Sequence, residues 1–199
     1  MSVKEFLEAI AAEIKVCPRC RLSETRTKAV PGEGSPESKI MLVGEGPGRN
    51  ENLEGRPFVG QAGKFLNTLL LQAGLRRENV FICNVVRCRP PENRDPLPDE
   101  IETCTPYLNR QIALIEPKLI VTLGKHSTEY MFSKAKLPFK NITDAHGRLC
   151  KTKLWGMQIA FFPTFHPAAA LYNGEYKKKL VEDFQLLRKE AANLGIDKH

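Results

Sequence analysis

The sequence lacks any apolar run near the roughly 20 residues that a membrane-spanning helix needs. It also lacks the apolar centre of a signal peptide, because charged residues such as Lys4, Glu8 and Glu13 interrupt the first segment. The apolar residues of that segment instead have the spacing of an amphipathic helix over residues 2–15. No internal repeat or low-complexity stretch is present. With six cysteines and no export signal, we expect a protein of the reducing cytoplasm that does not contact membranes.

Acidic residues are outnumbered by basic ones, 23 against 30, which gives a net charge of +7. Such an excess aids solubility, and it also suits a polyanionic partner such as nucleic acid. The apolar share of 42% is that of a globular protein rather than a disordered one, and 199 residues suffice for one continuous core. We therefore expect a single domain over residues 1–199.

Four short apolar runs predict buried strands, and helical patterns lie between them. The strands are expected at Lys39–Val43, Val80–Val86, Leu119–Leu123 and Gln158–Thr164. The helices are expected at Gln61–Ala73, Asp99–Glu116, Lys125–Phe132 and Gly174–Leu194. This alternation predicts an α/β fold, a three-layer α/β/α sandwich with a central, mainly parallel four-stranded sheet. Residues 133–157 are expected to add a hairpin-like excursion.

Four of the six cysteines lie in two irregular, basic segments, residues 16–38 and 86–104. They are Cys17 and Cys20, in a CxxC motif, and Cys88 and Cys104. Four thiolates from distant loops suit tetrahedral zinc or an iron–sulfur cluster, and the spacing does not choose between them. We expect the two segments to form one metal-stapled lobe of the domain. Cys83 and Cys150 are interpreted as structural.

The first strand leads into a glycine-rich turn, GEGPG at 44–48. It is not a P-loop, since no Gly-Lys-Ser/Thr follows, and Arg49 stands where a dinucleotide-binding fingerprint has its last glycine. Residues 49–57 are expected not to open a helix. The turn lets a ligand approach the backbone closely, although it could be only a tight turn. A nucleotide-binding protein therefore stays an alternative.

Polar and aromatic residues follow three of the predicted strands. Glu45 follows the first, Asn84 ends the second and His166 follows the fourth, so all three are expected at the ligand-binding edge of a parallel sheet. Phe58, after the turn, could add an aromatic wall for a planar heterocycle. An asparagine amide matches the N3–H and O4 of uracil, and cytosine presents the reverse pattern, although Asn84 could instead bond a neighbouring backbone.

Together these motifs resemble the family 4 uracil-DNA glycosylases, the iron–sulfur branch of the uracil-DNA glycosylase superfamily. The resemblance spans residues 17–171. Its motifs are CPRC with the two later cysteines, GEGPG at 44–48, GRPFVGQAG at 55–63, CNVVRCRPPENRDP around Asn84 and HPAAAL at 166–171. It implies an enzyme that flips deoxyuridine out of DNA and hydrolyses its N-glycosidic bond for base excision repair. A non-catalytic, metal-stapled DNA-binding module is the alternative.

The resemblance also implies a role for individual residues. The four cysteines of the two irregular segments would hold a [4Fe–4S] cluster. Uracil would be bound by Glu45, Gly46, Pro47, Phe58, Asn84 and His166. Glu45, Asn84 and His166 would take part in catalysis, and Glu51 would exclude the methyl group of thymine.

Contacts with DNA are expected from the basic lobe and from the last motif. Arg87, Arg89 and Arg94 would bind phosphates, and Leu171 would enter the space that the flipped base leaves. No histidine lies between Cys88 and Cys104, so we expect ordinary hydrolysis rather than covalent capture of the sugar. The expected protein is a monomer that acts on uracil-containing DNA and contacts replication or repair proteins.

Overall fold

A central sheet of six strands organises the computed structural model, which describes residues 2–196. The strands are β1 (Glu33–Gly34), β2 (Ile40–Gly44), β3 (Phe81–Asn84), β4 (Leu119–Leu123), β5 (Cys150–Leu154) and β6 (Met157–Thr164). They lie in the order β1-β3-β2-β4-β6-β5. The four inner strands are parallel, and each edge strand is antiparallel to its neighbour. The mainly parallel sheet is confirmed, with six strands instead of four.

Helices cover both faces of this sheet. They are α1 (Val3–Val16), α2 (Leu22–Thr25), α3 (Arg49–Glu54), α4 (Gln61–Gln72), α5 (Pro98–Ile115), α6 (Lys125–Lys134), α7 (Ile142–Ala145) and α8 (Gly174–Asn193). Buried side chains of α1, α5 and α6 pack on one face, and those of α4 and α8 pack on the other. The predicted α/β/α sandwich is confirmed. Within residues 2–196, no helix is long and apolar enough to cross a membrane.

The inner strands were recognisable because both of their faces are buried. Every residue of β2, β3 and β4 is buried, so each strand forms a short apolar run. Alternation divides their side chains between the two layers: Met41 and Cys83 join the core under α1 and α5, whereas Leu42 and Ile82 join the core under α4 and α8. The interpretation of Cys83 as a core residue is confirmed.

The two unpredicted strands lie at the edges, where an apolar run is not required. β1 has only two residues, too few for any periodicity to be visible. β5 alternates between half-buried and exposed positions, and it forms the expected hairpin with β6. The two turn residues, Trp155 and Gly156, both have positive φ angles (48° and 85°), as a tight two-residue hairpin requires.

The prediction that residues 49–57 do not open a helix is wrong. α3 begins directly after the glycine-rich turn, where Glu51 Oε2 accepts a hydrogen bond from the Gly48 backbone N–H at 3.1 Å. The helix ends after six residues at Gly55, whose φ of 76° is left-handed. Glu51, the third residue of the helix, caps its start. The spacing of the glycines in the turn gave no indication of this cap.

Candidate active site

The side chains predicted to converge do meet at the carboxyl edge of the sheet. Glu45 follows β2, Asn84 ends β3, His166 follows β6, and Phe58 comes from the loop between α3 and α4. All four line one pocket, which is open to solvent and has a cavity volume of about 300 Å³. The remaining predicted members of the site also line it: Gly46, Pro47 and Glu51. Its position and size are those of a small-molecule site in an α/β fold.

Asn84 lines this pocket and carries an unused hydrogen-bond acceptor. Its side chain is buried, with 2% of the residue exposed, yet its Oδ1 has no hydrogen-bond partner among residues 2–196. The alternative in which Asn84 serves a neighbouring backbone therefore does not account for this oxygen. A buried polar atom without a partner is costly, and a ligand donor is a common reason for it.

The Phe58 loop is held in an uncommon conformation by hydrogen bonds from two sides. Phe58 has a φ of 50°, which non-glycine residues rarely adopt. Glu51 Oε1 accepts hydrogen bonds from the backbone N–H groups of Val59 (2.9 Å) and Gly60 (3.0 Å). On the other side, the Arg77 guanidinium donates to the backbone carbonyl of Phe58 at 3.3 Å. The Phe58 ring is thereby fixed 5.6 Å from the His166 ring, centroid to centroid.

His166 is a neutral hydrogen-bond donor in this setting. The backbone N–H of Ala168 donates to its Nδ1 at 3.1 Å, so the ring proton of the neutral form lies on Nε2. Burial lowers the pKa of His166 to about 4, and the nearby charge of Glu51 opposes this only in part. At neutral pH the ring therefore carries one N–H and no charge.

Glu45 has a carboxylate without a direct hydrogen bond from residues 2–196, in contrast to Glu51, whose two oxygens accept three. Burial raises the pKa of Glu45; His126 lowers it and Asp95 raises it further.

His126 was not singled out in the sequence. It follows β4 at the same carboxyl edge, so the rule that found the other residues could have found it.

The four predicted metal ligands line one cavity between α1, α5 and the loop after β3. They are Cys17, Cys20, Cys88 and Cys104. Burial raises the pKa of the Cys88 thiol, and it raises the pKa of the Cys104 thiol to about 11. A metal would therefore have to displace their protons. Two N–H groups point at sulfur, Arg26 Nη1 to Cys88 Sγ and the Arg87 backbone to Cys104 Sγ, both at 3.2 Å. The donors suit thiolate ligands.

The sulfur spacing bears on the size of the group that fits. No three of these sulfur atoms lie within 4.8 Å of one another. Tetrahedral zinc, with bonds of about 2.3 Å, would hold its four sulfurs about 3.8 Å apart. As placed, the four sulfur atoms are therefore spaced too widely to bind one tetrahedral zinc ion together.

The predicted DNA contact of Arg87 is wrong. The residue is only 1% exposed, and its guanidinium donates to the Pro31 carbonyl (3.2 Å) and to Gln111 Oε1 (2.6 Å). A buried side chain bound to interior carbonyls cannot reach a phosphate. Arg87 instead joins the segment before β1 to α5.

The other three predicted DNA-contacting residues lie at or near the surface. Arg94 lines the pocket and forms two hydrogen bonds with Glu100, and Arg89 donates to Asn93 at 2.7 Å. Leu171 ends the 3₁₀ turn Pro167–Leu171 that follows His166, and 44% of it is exposed. These positions leave their contacts with DNA as predictions.

The fold and the site define an α/β sandwich protein with a pocket at the carboxyl edge of its sheet. Residues 31–185 match the family model described as the uracil DNA glycosylase superfamily. The chain is 55% identical to the type-4 uracil-DNA glycosylase of Sulfurisphaera tokodaii over 94% of this chain and 86% of that protein. It is 50% identical to that of Saccharolobus solfataricus (96% and 88%) and 44% identical to that of Archaeoglobus fulgidus (91% of each). The chain belongs to the type-4 branch of the uracil-DNA glycosylase superfamily.

Gly63 provides a test of how tightly the Phe58 loop is seated. A Cβ at Gly63 would overlap the backbone carbonyl of Phe58, which cannot rotate away. We expect Gly63→Ala to lower the free energy of unfolding by about 1–3 kcal/mol and to displace Phe58. Gly174→Ala is the control, because a Cβ there meets nothing within 4 Å. Equal stability of the two variants in denaturant unfolding would contradict this packing.

The low pKa of His166 predicts a pH dependence of stability. The folded-state pKa of about 4 lies below the ordinary value of 6.5, so as pH falls from 6.5 to 4 the unfolded chain binds a proton that the folded chain does not. This group therefore destabilises the fold by at most about 1.4 kcal/mol per pH unit in that window. Between pH 7 and 4, the free energy of unfolding measured in denaturant should fall less for His166→Asn than for the unchanged protein. Parallel curves would contradict a neutral His166 in the folded protein.

Proposed function

We propose that this protein removes uracil from DNA by taking a deoxyuridine out of the helix and hydrolysing the bond between base and sugar. The product is an abasic site for base excision repair. The observation that carries the proposal is the buried, unpartnered Oδ1 of Asn84 in a pocket shared with Phe58 and His166. The names of the type-4 relatives support the same reaction. A base must leave the stack before its glycosidic bond can be reached, and an open pocket suits an extruded base.

Uracil is recognised by one amide and one aromatic ring. Asn84 Oδ1 accepts from N3–H, and its NH₂ group donates to O4. Phe58 contacts one face of the base, and the Gly46–Pro47 backbone contacts the other. Cytosine would leave buried donors and acceptors unpaired, a mismatch that can amount to roughly 10⁴–10⁵ in selectivity.

Glu51 is the proposed barrier to thymine. Three backbone N–H groups hold its carboxylate in the pocket wall, so this wall does not move aside easily. A methyl group at C5 would meet a fixed, charged surface and would have to displace it. Exclusion follows from the rigidity of the wall as well as from its charge.

In the proposed reaction, the C1′–N1 bond breaks and its electron pair stays with uracil, while a water oxygen bonds to C1′. His166 Nε2–H donates to O2, where negative charge develops, and such preorganised donors are usually a large part of catalysis. Glu45 accepts the hydrogen bond and then the proton of the water. Because His166 is neutral, uracil leaves as an anion and takes its proton from solvent.

DNA is held by residues around the pocket. Arg89 and Arg94 contact phosphates, and Leu171 enters the space left by the flipped base. Their surface positions support this role. We further propose that the protein acts as a monomer in the cytoplasm and contacts other replication or repair proteins.

A [4Fe–4S] cluster is the proposed group in the four-cysteine cavity, held by Cys17, Cys20, Cys88 and Cys104. The wide sulfur spacing and the two N–H donors support it. When bound, such a cluster would join residues 16–38 to residues 86–104 as one stapled lobe beside the pocket. Its proposed role is to order these loops for DNA binding.

The amide of Asn84 can be tested by reversing its hydrogen-bonding pattern. Asn84→Asp removes the donor for O4 and places a negative charge near the leaving anion, so uracil release from an oligonucleotide should fall by roughly 10³-fold or more, and weak cytosine release is expected. Asn193→Asp, the same change on the exposed end of α8, should retain activity. Unchanged uracil release by Asn84→Asp would remove this residue from the site. An unchanged protein that binds this DNA and leaves uracil in place would support the non-catalytic module.

The cluster can be tested by its colour and composition. The purified protein should be brown and should contain about four iron and four sulfide per chain. Cys88→Ser should lose most of its iron and unfold about 10 °C lower, because metal binding contributes to folding. Cys150→Ser, on the edge strand β5, should keep its iron. A colourless protein that contains zinc would contradict the cluster.

A further inference from the structure

Three titratable side chains meet at the rim of the pocket. His126 Nε2 lies 3.0 Å from Asp95 Oδ2 and 3.8 Å from Glu45 Oε2. Among residues 2–196, this is the one group of three or more histidine, cysteine or acidic side chains whose ligand atoms all lie within 4.8 Å. The three come from different elements: the end of β2, the first turn of α6 and the loop before α5. The meeting is therefore a product of the fold and not of sequence proximity.

The two contacts of His126 differ in kind. The 3.0 Å distance to Asp95 is that of an ion pair when the ring is protonated, and the 3.8 Å distance to Glu45 is too long for a hydrogen bond. Asp95 is a mainly exposed partner, with 74% of its side chain accessible, whereas the His126 side chain is only 21% accessible. Asp95 therefore contacts the imidazole from the solvent side. When the ring is protonated, its positive charge lies close to the Glu45 carboxylate.

A positive charge on His126 would favour the ionised form of Glu45. No backbone or side-chain donor of residues 2–196 holds it by a direct hydrogen bond, so it has room to bind water, unlike Glu51. Its burial favours the neutral acid and raises its pKa, and a cation beside it opposes that effect. A base must be ionised to accept a proton from water.

We propose that His126, oriented by Asp95, is a positioning residue that keeps Glu45 ionised and turns it toward the water that attacks C1′. This inference rests on the proposed function. In each turnover Glu45 takes the proton of the water while His126 keeps its own, so the imidazole acts on the reaction only through Glu45. The other charges near this cluster are engaged elsewhere or absent, because Arg94 pairs with Glu100 and His166 is neutral.

The experiment measures single-turnover uracil release from a single-stranded oligonucleotide between pH 4.5 and 8.5. His126→Gln removes the ring whose charge lowers the pKa of Glu45, so Glu45 should be protonated at higher pH. We expect the acidic limb of the rate profile to move up by about one pH unit, so that the rate at a pH on that limb falls about tenfold, with DNA affinity unchanged. His126→Lys, which keeps a positive charge, should restore the limb toward its original position.

A second variant probes the pair as a unit. Asp95→Asn should slow the reaction less than His126→Gln, and the double variant should be no slower than His126→Gln alone, because both act through the same ring. Asp144→Asn, an exposed carboxylate on α7, is the matched control and should behave as the unchanged protein. Thermal unfolding of every variant checks that the fold is intact.

The outcomes separate this inference from the proposed function. An unchanged protein that releases no uracil defeats the proposed function and the inference with it. Normal release by the unchanged protein with an unshifted acidic limb in His126→Gln overturns only the inference. A shift of equal size in His126→Lys, or a fully additive double variant, also overturns it. If chelator treatment abolished activity and Mg²⁺ or Mn²⁺ restored it, the three side chains would be metal ligands instead, and the positioning role would be wrong.

Discussion

Parallel pairing of β2 with β3 is the constraint on which the pocket depends. The two strands end in register, with Gly44 opposite Asn84, so the amide arrives beside the turn that carries Glu45. A Cβ at Gly44 would collide with Asn84 Oδ1 and approach the Phe58 ring to 2.7 Å. The absence of this one methyl group lets the amide and the ring meet at the end of the sheet. One backbone register thus sets the relative places of Asn84, Phe58 and Glu45.

The central part of this arrangement was predictable because it follows from burial and topology alone. Strands buried on both faces form apolar runs, and polar residues at their carboxyl ends must share one edge, which located Glu45, Asn84 and His166. The edge strands β1 and β5 carry no such run, since solvent covers part of them. His126 obeys the same rule as the other site residues, but its relation to Asp95 depends on a loop conformation that no local pattern encodes.

The arginines show why charge counted along a chain does not locate a binding surface. Arg87 is buried against interior carbonyls, Arg77 holds the Phe58 loop, and Arg26 donates to Cys88 and to the Cys17 carbonyl. Their charges organise loops that lack regular backbone hydrogen bonding, which only the folded chain reveals. The basic face available to DNA is therefore smaller than the net charge of +7 implies. Of the three arginines predicted to contact DNA, Arg89 and Arg94 stay at or near the surface.

The left-handed backbone at Phe58 has a consequence for how relatives of this protein could diverge. The pocket wall is fastened through main-chain groups, by Glu51 on one side and Arg77 on the other, so exchanging a lining side chain would not widen it. A lineage that came to accept a bulkier lesion would first have to release one of these fastenings, and the strained turn would then relax. Broader substrate range and a less rigid, less heat-resistant loop should therefore arise in the same evolutionary step.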